Sequence, residues 1–397
     1  MKIGMILDEA FPPDPRVENE AVSLVNAGHE VFLFCLDYSH SQLQDEMIAG
    51  FRVIRKRLPR YLYRFSALAY TIPFYHYYLK NSIDKFLRSN HIQTIHIHDI
   101  RISRAVFWVN KKLNLPIILD LHENRPEIMK FYKHVNSFWG KLLIHPSKWK
   151  KYEKKYIKAA DRVIVVTNEA KEYYLSSINS IYSNKIIVVP NTIRTSFYKK
   201  YSIDKTIMKK YKSFYSILYI GDTGLRRGLL TVFKALKYLI PKIPNIKIVV
   251  VGKSKEDNIL RNFIRIHRYG DYIELAGWQD SKLLPSYILS SFIGICPLHR
   301  NIHHDTTYAN KIFQYLVFGK PIVVSDCIAQ KTFVQKHNCG LVFKDRDEKN
   351  FADKVIAVYE NKNLYQDMSQ NGKDIVRNSF NWGKTAKPLI ELYEQIL

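Results

Sequence analysis

Six short apolar runs (KIGMIL, HEVFLFCL, TIHIHD, PIILDLHE, RVIVVT and KIIVVP) punctuate the first 190 residues. Stretches of helical periodicity separate them, such as Glu18 to Ala27, which Gly28 closes just past the helix end. Runs that are apolar on both faces suit buried parallel strands with helices on either side. The pattern lapses into polar, Lys-rich sequence at 199–214. It then restarts with YSILYIG, IKIVVVG, YIELAG, FIGICPL, KPIVVSD and CGLVF. The expected fold is therefore α/β: two Rossmann-like, doubly wound parallel-sheet domains, 1–198 and 199–381, facing a cleft. An amphipathic helix at 382–397 is expected to pack back on the first domain.

Ligands of such sheets bind beyond the carboxyl ends of the strands, so polar residues just after the strands are the candidates. In YIGDTGLRRGLL, Gly221, Gly224 and Gly228 let the backbone come close to a ligand, and Arg226 and Arg227 are placed to grip a phosphate. In HDTTYANKIFQYLVFGKPIVVSD, Thr306 or Thr307 is placed to N-cap a helix whose positive end would favour an anion. Lys311 and Gln314 share a face of that helix, and Ile312, Phe313, Leu316 and Val317 take the core side. In the first domain, Pro12, Pro13 and Pro15 stiffen the loop that presents Arg16. Asp8, Asp14 and Glu18 crowd that arginine, and a structural salt bridge is the alternative. His98 and Asp99, and then Asp120, His122 and Glu123, close two neighbouring strands and suit a binding cleft.

The 61 Lys and Arg against 36 Asp and Glu give a formal charge of +25, which implies an anionic partner. No nucleic-acid-binding module is recognisable, so nucleic acid is not the expected one. FRVIRKRLPRYLYRFS is basic and aromatic. SKWKKYEKKYIKAAD sets Trp149, Tyr152, Tyr156 and Ala160 on one helical stripe flanked by six lysines. Such segments suit peripheral docking on an anionic membrane surface, with packing of the stripe in its own domain as the alternative. The four cysteines are scattered, which argues against a disulfide framework or zinc site. The chain enters a strand at once without a signal-peptide pattern and has no run of about 18 apolar residues. A cytoplasmic location is expected, at most peripheral on the inner face of the membrane. The D-x-D of Asp345 and Asp347 resembles a metal motif, but Asp347 is better placed to N-cap the next helix, and no metal is expected.

Several segments together resemble glycosyltransferase family 4, which has the GT-B fold. They are PPDPRVENEAVSLVNAGHEV, LDLHE, AADRVIVVTNEAKEYY, VVPNTI, GDTGLRRGL, LAGW and YANKIFQYLVFGKPIVVSD, in that order across nearly the whole chain. The resemblance implies a retaining, bacterial-type hexosyltransferase for polysaccharide or glycoconjugate synthesis. It would use a nucleotide-diphosphate sugar as donor and a glycan or lipid-linked molecule as acceptor, with no cofactor. It implies that Arg227 holds the pyrophosphate, that the helix bearing Lys311 and Gln314 holds phosphate and ribose, and that His122 contacts the donor sugar. The base would lie near Gly252, Lys253 and Trp278. The sequence departs from the family where two glutamates eight apart become Thr306 and Gln314, and where an arginine after the turn glycine becomes Asp222. A sugar-nucleotide epimerase or phosphorylase of the same fold, or a non-catalytic sugar-nucleotide binder, are the alternatives. No pair of carboxylates suits a double displacement, so a front-face route with the departing pyrophosphate taking the acceptor proton is expected.

Overall fold

The computed structural model describes residues 1–396; Leu397, the last residue of the expected 382–397 helix, and the side chain of Arg64 lie outside the described residues. Two compact units form: Met1–Pro190 with the segment from Ala386 on, and Asn191–Thr385. The second unit begins ahead of the polar 199–214 stretch because Ile193 bridges to Asn381 and the Phe197 ring packs 5.9 Å from that of Phe318.

The first unit holds an eight-stranded sheet of β1 (Lys2–Leu7), β2 (Glu30–Asp37), β3 (Asp45–Ile48), β4 (Phe51–Arg57), β5 (Thr94–His98), β6 (Ile117–Leu121), β7 (Arg162–Val165) and β8 (Ile186–Val188). Their order is β3-β4-β2-β1-β5-β6-β7-β8, parallel apart from the β3–β4 pair. The chain doubles back at β1, which pairs with β2 on one side and β5 on the other, so the ends of β1 and β5 flank the switch point where ligands of such sheets bind. FRVIRKR, read as a basic surface segment, is strand β4. Phe51, Val53 and Arg55 alternate inward, and β3 pairs antiparallel along its outer edge. Alternating polarity is what a strand with one wet face needs, and it hides among charges when read for membrane affinity.

The second unit is a six-stranded, all-parallel sheet of β9 (Tyr215–Ile220), β10 (Ile246–Val251), β11 (Ile273–Gly277), β12 (Ile293–Cys296), β13 (Ile322–Ser325) and β14 (Gly340–Phe343). The order β11-β10-β9-β12-β13-β14 places its switch point between β9 and β12. Each sheet is covered by its own apolar clusters, Ile95, Ile97 and Leu119 among the first and Ile217, Ile248 and Ile295 among the second.

Two helical expectations change. The end of the chain is two short helices, Trp382–Thr385 and Lys387–Glu394, with Pro388 in the first turn of the second, where a missing N–H is tolerated. Tyr393 from that last helix is buried in the first unit. In helix Pro146–Ala159, Trp149, Tyr156 and Ile157 are buried in the core and Tyr152 packs against it. The aromatic stripe is therefore core, and the solvent side of the helix carries Lys148, Lys151, Lys155 and Lys158 with Ser147 and Ala159. Among the described residues, no helix is long and apolar enough to cross a membrane.

Candidate active-site residues of the two units

In the second unit, Gly221 directly follows β9 and Gly252 directly follows β10, both at positive φ (124° and 145°). A Cβ on Gly252 would collide with the Gly221 carbonyl, and one on Gly221 would stand 3.1 Å from Lys311 Nζ. Only glycine permits this backbone-to-backbone approach. Gly224 and Gly228 bracket a single 3₁₀ turn, Leu225–Arg227, and the Arg226 carbonyl accepts from the His299 N–H at 3.0 Å. Arg227 leaves that turn with Nε 3.1 Å from Asp222 Oδ2 and Nη1 3.5 Å from His304 Nε2.

Lys311 sits in the first turn of helix Asn310–Val317 and lays its ammonium 3.7 Å from the centroid of the Tyr219 ring. It makes no hydrogen bond or ion pair among the described residues. Burial pulls its pKa down to about 7; the Cys296 thiol and Asp222 oppose that shift and the Arg227 charge adds to it. His304 is held neutral, its pKa lowered to about 3 chiefly by burial. Arg227, Lys311, Gly221 and Gly252 therefore converge on one place.

The remaining candidates in this unit are placed more loosely. Lys253 is exposed, Trp278 follows the last residue of β11 and is 66% exposed, and Gln314 is half-buried on the helix that carries Lys311. Neither threonine caps that helix. Ala309 stands at its N-cap without a side-chain bond. A separate turn, Ile302–Asp305, precedes it, and the Thr306 and Thr307 hydroxyls donate back to that turn, to the Ile302 carbonyl (2.8 Å) and the His303 carbonyl (2.8 Å) respectively. Local carbonyls four residues back outcompeted the more distant helix start. Asp347 does cap helix Glu348–Glu360, accepting from Asn350 N at 2.8 Å. Asp345 accepts from Arg300 N at 3.0 Å and lies 2.7 Å from His299 Nδ1.

In the first unit the strand ends of β5 and β6 gather a buried ionic cluster. Arg16 donates to both oxygens of Asp120 (3.1 and 2.9 Å) and to the Val189 carbonyl (3.0 Å), and it pairs with Glu20 at 2.9 Å. Asp14, the N-cap of helix Pro15–Asn26, adds its charge beside Arg16 as the sequence suggested, whereas Asp8 pairs with Arg101 and the buried salt bridges of Arg16 go to Asp120 and Glu20. Asp120 Oδ2 lies 3.0 Å from His122 Nε2, which is also 3.0 Å from His98 Nδ1. Against the cost of burial, the Asp120 carboxylate raises the His122 pKa to about 10, with Asp99 adding to it. Arg16 and His98 are themselves buried; His98 touches His122 directly, and Arg16 reaches it through the shared Asp120 carboxylate. Asp99, at φ 61°, accepts from the His122 backbone N–H (3.3 Å) and from Arg125 (3.2 Å), while Glu123 pairs with Arg125 at 3.2 Å. Glu20, His96, His98 and Asp120 offer one ligand atom each within 4.8 Å of one another and are the group that could hold a metal ion. Both of its carboxylates already engage Arg16.

Glu20, His96, Arg101, Arg125, Tyr219, Asp222 and His304 were not among the expected site residues. The spacing His96-x-His98 and Asp120-x-His122 carried a signal for part of this set, since residues two apart on a strand share a face.

Residues 202–375 match the family model described as Glycosyl transferases group 1, and residues 16–197 match that described as Glycosyltransferase Family 4. The chain is 20% identical over 405 aligned residues to a phosphatidyl-myo-inositol mannosyltransferase of Mycolicibacterium smegmatis, covering 100% of this chain and 94% of that one. Among solved structures it is similar to a sucrose-phosphate synthase from Thermosynechococcus elongatus (TM-score 0.79, 17% identity, 100% and 98% of the two chains). It is also similar to HepE of Anabaena in complex with UDP (TM-score 0.75, 12% identity, 100% of both chains). These neighbours share the GT-B fold.

Proposed function

Given that the chain belongs to glycosyltransferase family 4, we propose that it is a retaining transferase that moves a hexosyl group from a nucleoside-diphosphate sugar to a glycan or lipid-linked acceptor in surface polysaccharide or glycoconjugate synthesis. The observation that carries this reading is Lys311: a half-buried ammonium beside the Gly221 and Gly252 backbones, near Arg227, with no anion of its own. A diphosphate placed there would supply the missing charge. A UDP complex of a structural neighbour and a mannosyltransferase relative acting on a phosphatidyl lipid agree with that donor and with such an acceptor.

In this reading Arg227 and Lys311 neutralise the departing diphosphate as the bond to the anomeric carbon breaks. His122, held by Asp120 and His98, contacts the donor sugar. The acceptor proton passes to a leaving phosphate oxygen, so no protein base is needed. The carboxylates near His122 favour this route over a double displacement: Glu9, Glu20, Asp99, Asp120 and Glu123 are each paired to an arginine. Titration calorimetry with UDP tests the assignment. Lys311→Ala and Arg227→Ala should each lose roughly 1.5–3 kcal/mol of binding, the range for charge-assisted bonds; unchanged affinity in both removes them from the site. Turnover is expected to persist in excess EDTA. A loss that Mn²⁺ or Mg²⁺ restores would show that the reaction needs a metal.

A further inference from the structure

A hollow of about 840 Å³ lies in the first unit, within the volume range of small-molecule sites. Tyr63, Met129, Trp139, Leu143, Ile144 and Trp149 give it an apolar wall. The charged residues of its lining form a single ion-paired group: Glu9 with Arg101 (2.6 Å) and Arg125 (3.7 Å), and Arg125 with Glu123 (3.2 Å). Glu123 adjoins His122. The hollow is thus apolar over much of its wall and polar beside the residue placed at the reacting sugar.

A further observation points to an occupant. Helix Phe138–Leu143 contributes Trp139 and Leu143 to the lining and leaves Phe138 (78%), Trp139 (67%) and Leu142 (58%) exposed. Clustered exposed apolar side chains mark interaction surfaces rather than ordinary solvent-facing helices. On the next helix Lys148, Lys151, Lys155 and Lys158 are exposed, which favours an anionic neighbour.

We infer that this hollow seats the apolar chain of the acceptor, an acyl- or isoprenyl-bearing amphiphile, with its hydroxyl head beside Glu123 and His122. The chain enters along helix Phe138–Leu143, which meets the bilayer. A wholly hydrophilic acceptor would leave the apolar wall unused, and a free hydrocarbon would leave the ion-paired group without a role. The inference rests on the transferase reading and narrows its acceptor to the lipid-linked class.

The test uses the full chain and 12-doxyl-stearate, a spin-labelled fatty acid, below its micellar concentration and without vesicles. Trp139 and Trp149 line the hollow, so an occupying chain should quench tryptophan fluorescence saturably. Leu143→Glu, which puts a charge in the wall, and Ala67→Phe, which narrows it, should each weaken that binding tenfold or more. UDP affinity is measured on the same preparations. Weakened quenching with intact UDP affinity supports the assignment. Unsaturable quenching in the wild type, or equal quenching in both variants while UDP still binds, overturns it and leaves the transferase reading standing. A wild-type protein that binds the chain probe but no nucleoside diphosphate overturns the transferase reading, and the acceptor role with it.

Discussion

The ammonium of Lys311 gains from the Tyr219 ring but lacks a counter-ion, and its pKa of about 7 means that half of it is uncharged near neutrality. A bound diphosphate favours the charged form, so binding above pH 7 must take up a proton. UDP affinity should therefore be flat below about pH 7 in this group's contribution and fall by up to about tenfold per unit above it. Lys311→Arg, always charged, should flatten the profile. Calorimetry from pH 6 to 9 decides the matter: the same slope in wild type and Lys311→Ala would mean that another group titrates. This residue was legible in the sequence because a glycine-rich strand end and a polar helix start belong to the same sheet. The Tyr219 ring beneath it was not, since nothing in local spacing says which side chain a lysine will cover. Arg16 shows the same limit. Its loop was singled out, but its partner Asp120 lies 104 residues away, and only the folded sheet brings them together.

At the scale of elements, apolar runs named all six strands of the second unit and six of the eight in the first; β3 and β4 escaped because charges interrupt their pattern. Helix Pro146–Ala159 marks the other ambiguity. A stripe of aromatics between lysines has the same period whether it faces a bilayer or a core. The structure packs it inward and buries Glu153 along with it. Burial, opposed by Lys150 on the same helix and by the Tyr174 hydroxyl 3.3 Å away, lifts the Glu153 pKa from 4.5 to about 8, with Asp99 and Glu127 adding to the rise. Between those values the folded state holds a proton that the unfolded chain has released, so stability falls as pH rises from about 4.5 to 8. Glu153→Gln removes that penalty. It should change melting little at pH 4 and stabilise by roughly 2–5 kcal/mol at pH 8, taking about 1.4 kcal/mol per pKa unit. A melting curve series across that range checks it: equal shifts at both pH values would assign the effect to packing instead.

For the whole molecule, an excess of 25 positive charges needs somewhere to go. The basic segment through β4 is not free to supply much of it: Arg52 pairs with Asp45 at 2.6 Å, and Arg55 is buried against the Phe11 and Leu43 carbonyls. The exposed lysines of helix Pro146–Ala159 remain, next in the chain to the exposed Phe138, Trp139 and Leu142. Docking on an anionic bilayer then has two separable parts. Each lysine near the surface adds about 1 kcal/mol that salt screens, and the aromatics add burial that salt does not touch. Reversing Lys148, Lys151, Lys155 and Lys158 to glutamate should abolish sedimentation with phosphatidylglycerol vesicles at low salt. Phe138→Ser with Leu142→Ser should leave a weaker association that disappears as salt is raised. Neither set touches the second unit, so UDP affinity should hold in both. If the wild-type protein stays in the supernatant with such vesicles at low salt, the charge serves a soluble anionic partner and the exposed helix is not an interfacial one.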